Sequence, residues 1–154
     1  MKKGVIIITL FFCNFLYGQI ETANDFIEFG QMSDQNKHSF MFNKGWIGIN
    51  TNQFVEDNKI FSDMNYWKMY NNDKYLLLIR NISEINKGEN YTVTTVTINS
   101  LSVFNLWFEE IKASYSLIKS EDDKWSITDE GNFVLTIEKR KIKDIYVYVF
   151  SLID

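Results

Sequence analysis

Two segments of this chain carry apolar side chains at nearly every position, and they constrain its fold more than any other feature. Residues 75–79 read Tyr-Leu-Leu-Leu-Ile, and residues 145–152 alternate Ile and Val with Tyr and Phe before ending in Ser-Leu. Successive side chains of a strand point to opposite faces of its sheet, so both faces of these strands must be shielded. The first segment is therefore predicted to be a central strand, and the second is predicted to be a last strand that is apolar on both faces.

In the chain between these two segments, the spacing of apolar residues is typical of a helix and not of a strand. Five apolar residues recur there at spacings of four and three: Phe104, Phe108, Ile111, Tyr115 and Ile118. Such spacing places side chains along one face of an amphipathic helix. We predict a helix over about residues 102–118 that packs on a sheet face. The alternative is an all-β structure over 101–120, which this periodicity disfavours.

The other segments complete an α+β pattern. Residues 22–43 are predicted to form N-terminal helices, with Thr22 or Asn24 as a cap and Gly30 as a break. Short strands follow up to residue 99, although residues 51–63 show no clear pattern. Residues 132–152 are predicted to form a C-terminal hairpin. Helices and strands that are segregated along the chain favour an antiparallel or mixed sheet in an α+β fold.

The first eighteen residues have the layout of a secretory signal peptide. Lys2 and Lys3 precede an apolar run of about a dozen residues, and Gly18 is a small residue at the predicted cleavage point. The run is shorter than the roughly 20 residues that a membrane-spanning helix needs. We expect residues 1–18 to be removed, and residues 19–154 to form one exported domain, periplasmic or extracellular, with no stable membrane span.

Cys13 leaves a second interpretation of this segment open. A lipidated bacterial signal has small residues before its cysteine, whereas Phe11 and Phe12 stand there in this chain. An uncleaved anchor is a further alternative. Under the favoured interpretation Cys13 is one more apolar residue of the signal, and the mature domain then has no cysteine and no disulfide.

Composition excludes several classes of partner and chemistry. The chain has 20 acidic and 16 basic residues and a net charge of −4, without a basic cluster, which argues against nucleic acid. His38 is the single histidine, so neither a zinc site nor a histidine-dependent triad is predicted. Placing Gly131 sixth in a calcium loop puts Ser126 and Ile137 at its acidic ends. No metal and no cofactor is therefore predicted.

The remaining candidate site is aromatic. Tyr and Trp are enriched at interfaces, although the same residues also pack in cores. The residues that form this candidate binding surface are Trp46, Tyr66, Trp67, Tyr70, Tyr146 and Tyr148. We expect a small exported, non-catalytic binding or interaction module with an unknown protein or small-molecule partner. The alternatives are a carboxylate-based periplasmic or secreted enzyme and an accessory protein of an envelope or secretion system.

Overall fold

The computed structural model describes residues 20–70, 73–129 and 133–154, and the predicted signal peptide lies outside these ranges. The described chain forms three helices and one sheet of eight strands. The helices are α1 (Ala23–Gly30), α2 (Asp34–Asn43) and α3 (Leu101–Ser114). The strands are β1 (Ile47–Glu56), β2 (Lys59–Tyr70), β3 (Asp73–Glu84), β4 (Asn90–Ile98), β5 (Ile118–Glu121), β6 (Lys124–Asp129), β7 (Phe133–Ile142) and β8 (Ile145–Ile153).

The sheet consists of two four-stranded meanders that α3 connects. Its strand order is β1-β2-β3-β4-β8-β7-β6-β5, and every neighbouring pair is antiparallel. The two meanders meet where β4 pairs with β8, with Val96 opposite Phe150. The predicted α+β class is confirmed, with a sheet that is larger than expected and antiparallel throughout the described residues.

The predicted boundary of the long helix is wrong at its C-terminal end. The helix α3 ends at Ser114, Tyr115 has extended backbone angles of −135° and 154°, and Ile118 begins β5. Ser and Tyr are weak helix formers, and three of them stand together at residues 114–116. Tyr115 nevertheless packs against the core, with its ring edge-on to Phe133. The all-β alternative for residues 101–120 is wrong because residues 101–114 are helical.

The C-terminal half contains more than the predicted hairpin. β7 and β8 pair as a hairpin, and β5 and β6 extend it into a four-stranded meander. Residues 122 and 123 form the turn between β5 and β6. Asp123 adopts a positive φ of 59° there, a conformation that Asp tolerates better than most residues.

An aromatic layer holds α3 against the middle of the sheet. The ring of Phe104 stacks on Tyr148 at 4.3 Å, and the ring of Trp107 packs on Phe150 at 5.1 Å. Phe26 of α1 stacks on the same Trp107. These side chains are nearly all inaccessible to solvent. Helix and sheet therefore share one core over the seam between the two meanders.

The start of α1 is tied to α3 by hydrogen bonds. Thr22 and Asp25 form a capping box, so Thr22 is the cap and the alternative, Asn24, is not. The Ala23 amide donates to Glu110 Oε2 at 2.9 Å, and Asn24 Nδ2 donates to Glu110 Oε1 at 3.1 Å. A carboxylate at a helix N-terminus also interacts favourably with the helix dipole. Glu110 therefore acts as a second cap for α1.

We expect the buried face of α3 to dominate its contribution to stability. Ile111 is 1% exposed and Leu106, on the same helix, is 61% exposed. Ile111→Ala should lower the free energy of unfolding by about 2–5 kcal/mol, because it leaves a cavity. Leu106→Ala removes a similar amount of side chain and should cost less than about 0.5 kcal/mol. Urea melts measure both values, and equal losses would contradict the packing of α3.

The adjacent carboxylates of α3 provide a second test. Glu110→Ala should lower the free energy of unfolding by about 1–2 kcal/mol, because α1 loses a cap. Glu109→Ala is the matched control: Glu109 is largely exposed and lies 3.6 Å from the exposed Lys112, so its loss should cost less than about 0.5 kcal/mol. The interpretation of Glu110 as a cap fails if the two variants melt at the same urea concentration.

Candidate functional site

The contacts of the three helices fall on one face of the sheet. The register aligns Tyr66, Leu77, Val96, Phe150 and Ile137 in one row across five strands, all on the helix side. Their sequence neighbours form the opposite row and point away from the helices: Trp67, Leu76, Thr97, Val149 and Glu138. We call this opposite surface the open face.

The open face contains a cavity of about 470 Å³. It is lined from both meanders, by Ile49 and Asn50 of β1, Asn65 and Tyr66 of β2, Leu76, Leu77 and Leu78 of β3, Thr95 and Thr97 of β4, Arg140 of β7, and Val149 of β8. None of the described helices contributes to this lining. The walls of the cavity therefore come from the sheet itself.

A sheet can supply such walls only if it curls toward the open face. β1 and β7 are five strand spacings apart, about 24 Å in a flat sheet, yet both line one cavity. The burial of Val149 also indicates that the sheet curls, because this residue lies on the face without helices and is only 8% exposed. The right-handed twist of antiparallel strands favours this curvature. The open face is consequently a concave trough.

The trough combines an apolar floor with polar walls. Leu76, Leu78 and Val149 form the floor. Asn50, Asn65, Thr95 and Thr97 provide side-chain donors and acceptors around it, and the hydroxyls of Thr95 and Ser151 lie 3.0 Å apart. An apolar surface with a small number of convergent polar groups is characteristic of small-molecule sites.

Arg140 places a positive charge at one end of the trough. Its Nη2 donates to Glu138 Oε2 at 2.6 Å, and the bond raises the pKa of Arg140 and lowers that of Glu138. The pair lies on the open face of β7, and half of the Arg140 side chain remains exposed. A ligand carboxylate, sulfate or phosphate could accept from the guanidinium hydrogens that Glu138 leaves available.

A second ionic group stiffens the β1–β3 side of the trough. Arg80 Nε and Nη2 donate to the two carboxylate oxygens of Asp63 at 2.7 and 2.8 Å. The stacked rings of Phe54 and Phe61 lie within 6 Å of the guanidinium carbon. This hydrogen bonding raises the pKa of Arg80, so its guanidinium stays charged at neutral pH. The Arg80 charge is thus already engaged within the protein.

Two of the six predicted aromatic binding residues lie in the core. Tyr148 is 3% exposed and stacks on Phe104. Trp46 is 8% exposed, and its indole Nε1 has no hydrogen-bond partner among the described residues. Their position matches the packing role that was the alternative to binding.

Three of the other four aromatic residues, Tyr66, Trp67 and Tyr146, lie in different parts of the structure. Tyr66 lies on the helix side, with its hydroxyl 3.1 Å from His38 Nδ1. Trp67 lies on the open face, beside Lys74. Tyr146 is exposed near the β7–β8 turn, under Lys139. The side chain of Tyr70 is outside the described part of the structure. Of the six, Tyr66 is among the residues that line the cavity, although its side chain points to the helix side of the sheet.

Sequence reasoning missed the residues that form the trough. Leu76 and Leu78 were assigned to the second face of a buried strand, and Val149 likewise. Arg140 lies within β7, on the same face as Glu138, and no sequence pattern singled it out. The available signal was the polar content of β4, where Thr95 and Thr97 share a face with Val93, since threonine on one face of a central strand indicates a face that is not fully dry.

A second, polar cavity of about 430 Å³ lies beside the start of α2, next to the C-terminal part of β3 and the N-terminal part of β4. Asp34, Asn81, Tyr91, Thr92 and Asp154 are among its lining residues. Asn81 Nδ2 donates to Asp34 Oδ2, and Thr92 Oγ1 donates to Asn81 Oδ1. The polar groups are thus bonded to one another.

Lys37 lies close to this cavity and is 1% exposed. Burial lowers the pKa of its ammonium group, and the carboxylates of Asp34 and Asp154 oppose that effect without reversing it. A buried charge that is not fully compensated destabilises a fold. Lys37 is therefore a source of instability at neutral pH.

We expect Lys37→Met to raise the free energy of unfolding at pH 7 by about 1 kcal/mol, because it removes this buried charge. The unfolded chain holds its proton up to about pH 10.4 and the folded protein releases it earlier, so wild-type stability should gain on the variant as pH rises toward 10.4. Urea melts at pH 7 and pH 10 measure both effects. Lys112→Met, at an exposed position, is the control. A loss of stability at pH 7 would show that the two aspartates compensate Lys37.

The described residues do not group three or more His, Cys, Asp or Glu side chains in a way that could hold a metal ion. Glu121 and Asp122, in the acidic run considered for calcium, pair instead with Lys124 and Lys119. Among the described helices, none is long and apolar enough to cross a membrane.

No protein-family model, no curated protein and no solved structure matches the chain.

Proposed function

We propose that this protein is a small binding module whose concave open face takes an amphipathic small molecule. The observation that carries the proposal is the 470 Å³ trough with walls from six strands. Its volume lies within the range of about 300–1,000 Å³ that is typical of small-molecule sites. The apolar floor would hold an apolar body, and Arg140 would face an anionic group.

The trough suits reversible binding because its framework is rigid without a ligand. Main-chain pairing connects all of its strands, and the Arg80–Asp63 pair and the Phe54–Phe61 stack support the β1–β3 side. A preformed site avoids much of the entropic cost of ordering loops on binding. Its polar groups are hydroxyls, amides and one guanidinium, which can recognise a ligand by hydrogen bonding.

Export is part of the same proposal, and it rests on the layout of residues 1–18. A small exported binding module would meet its ligand in the periplasm or outside the cell. The related alternative is that the protein is an accessory protein of an envelope or secretion system. The predicted carboxylate enzyme has no supporting observation in the described part of the chain: Glu84 and Glu138 have lowered pKa values because cations neighbour them.

Anilinonaphthalene sulfonate is a suitable probe, since it joins apolar rings to one anionic group. We expect the probe to bind the full chain, and Leu76→Asn to weaken binding about tenfold, equivalent to about 1.4 kcal/mol, because the floor becomes polar. Arg140→Gln should also weaken binding, through the loss of the charge that faces the sulfonate. Fluorescence titration gives each dissociation constant.

Leu106→Asn on the outer side of α3 is the matched control, because Leu106 is exposed but lies outside the trough. It should leave probe affinity unchanged. Partly unfolded proteins also bind this probe, so each variant must first show a cooperative urea transition. The proposal fails if probe affinity responds to Leu106→Asn as strongly as to Leu76→Asn, or if neither trough variant alters it.

A further inference from the structure

The two edge strands of the sheet differ in how they are protected. β5 has four residues, and its charged side chains Lys119 and Glu121 form ion pairs around the following turn. Short, charged strands are a common protection against pairing with another chain. The edge at β1 has neither property.

β1 is long and exposed, and its only charged residue is Glu56 at the end that enters the turn. It has ten residues, and the sequence from Ile47 to Val55 contains neither a charged residue nor a proline. Ile47, Ile49 and Val55 are each more than half exposed. In the part of the chain that the structure describes, no strand pairs with the outer side of β1. Such an edge offers a row of peptide groups to an incoming strand.

The turn that follows β1 determines which peptide groups face outward. Asp57 and Asn58 both have positive φ, 47° and 61°, as in a two-residue type I′ turn. In such a hairpin the flanking pair, Glu56 and Lys59, is hydrogen bonded. Because the pattern alternates, Val55, Gln53 and Thr51 direct their N–H and C=O groups away from β2.

We infer that β1 pairs with β1 of a second copy of this chain, antiparallel and with Gln53 on the twofold axis. This register places Thr51 opposite Val55 twice and Gln53 opposite itself, so all three outward-facing residues are used. β-branched residues are favoured as cross-strand pairs. The two eight-stranded sheets then form one continuous sheet.

Charge and symmetry favour a second copy over another partner. The net charge of −4 makes two copies repel each other at long range, and the uncharged run from Ile47 to Val55 adds no contact between like charges along the shared edge. An uncharged run also does not select a partner of opposite charge. Pairing of β1 with β5 would involve four residues and would propagate into open filaments, whereas β1 with β1 closes as a dimer.

The test is the mass of the purified full chain in solution, measured by sedimentation over a dilution series. We expect a dimer that dissociates on dilution. Gln53→Lys places two like charges opposite each other at the axis and should give a monomer, and so should Gln53→Glu. Mixing the two variants should restore a dimer, because opposite charges then meet.

Ser120→Lys in β5 is the control at the other edge and should leave the dimer intact. Urea melts of each variant establish that its fold is retained. A wild-type chain that is monomeric at every concentration overturns the inference, and so does a Gln53→Lys chain that stays dimeric. This result is separable from the proposed function, since probe binding in the trough and mass in solution are measured independently.

Discussion

The pairing of β4 with β8 is the contact on which the rest of this structure depends. It joins two meanders that are otherwise local, each strand pairing with its sequence neighbour. The ladder aligns Val96 with Phe150 on the helix side and Thr97 with Val149 on the open face. The same register therefore forms two surfaces. On the helix side it forms the apolar surface on which α3 packs, and on the open face it forms the middle of the trough. A slip by one residue would exchange the two sets of side chains.

The amphipathic helix and the central strands could be predicted because each has a strong apolar pattern. Phe104, Phe108 and Ile111 recur with the helical period, and all three belong to or pack against the core. The prediction failed beyond Ser114 because Tyr115 reaches the core from an extended backbone, so its spacing imitates another helical turn. The spacing of apolar residues indicates which side chains are buried. It indicates a helical backbone only for residues that lie within the helix.

The hairpin of β1 and β2 shows why other elements escaped prediction. Residues 51–63 have no clear pattern because β1 is an edge strand that is exposed on both faces, which leaves nothing to alternate. The open face was also hidden. A face that is covered by helices and a face that is shielded by its own curvature both require apolar residues, so Leu76 and Leu78 resemble core residues. Curvature is a property of the whole sheet, and no short segment encodes it.

The bulge in β1 connects the trough with the sheet edge. The register with β2 shifts between Gly48 and Asn50, so Ile49 is the extra residue. Bulges bend a strand, increase its twist and redirect a side chain. Here the shift allows both Ile49 and Asn50 to line the trough, and it ends the regular outward pattern of peptide groups that begins at Val55. The regular pairing edge therefore extends from Thr51 to Val55, and the residues just before it belong to the trough. One local irregularity thus separates the trough from the regular part of the sheet edge.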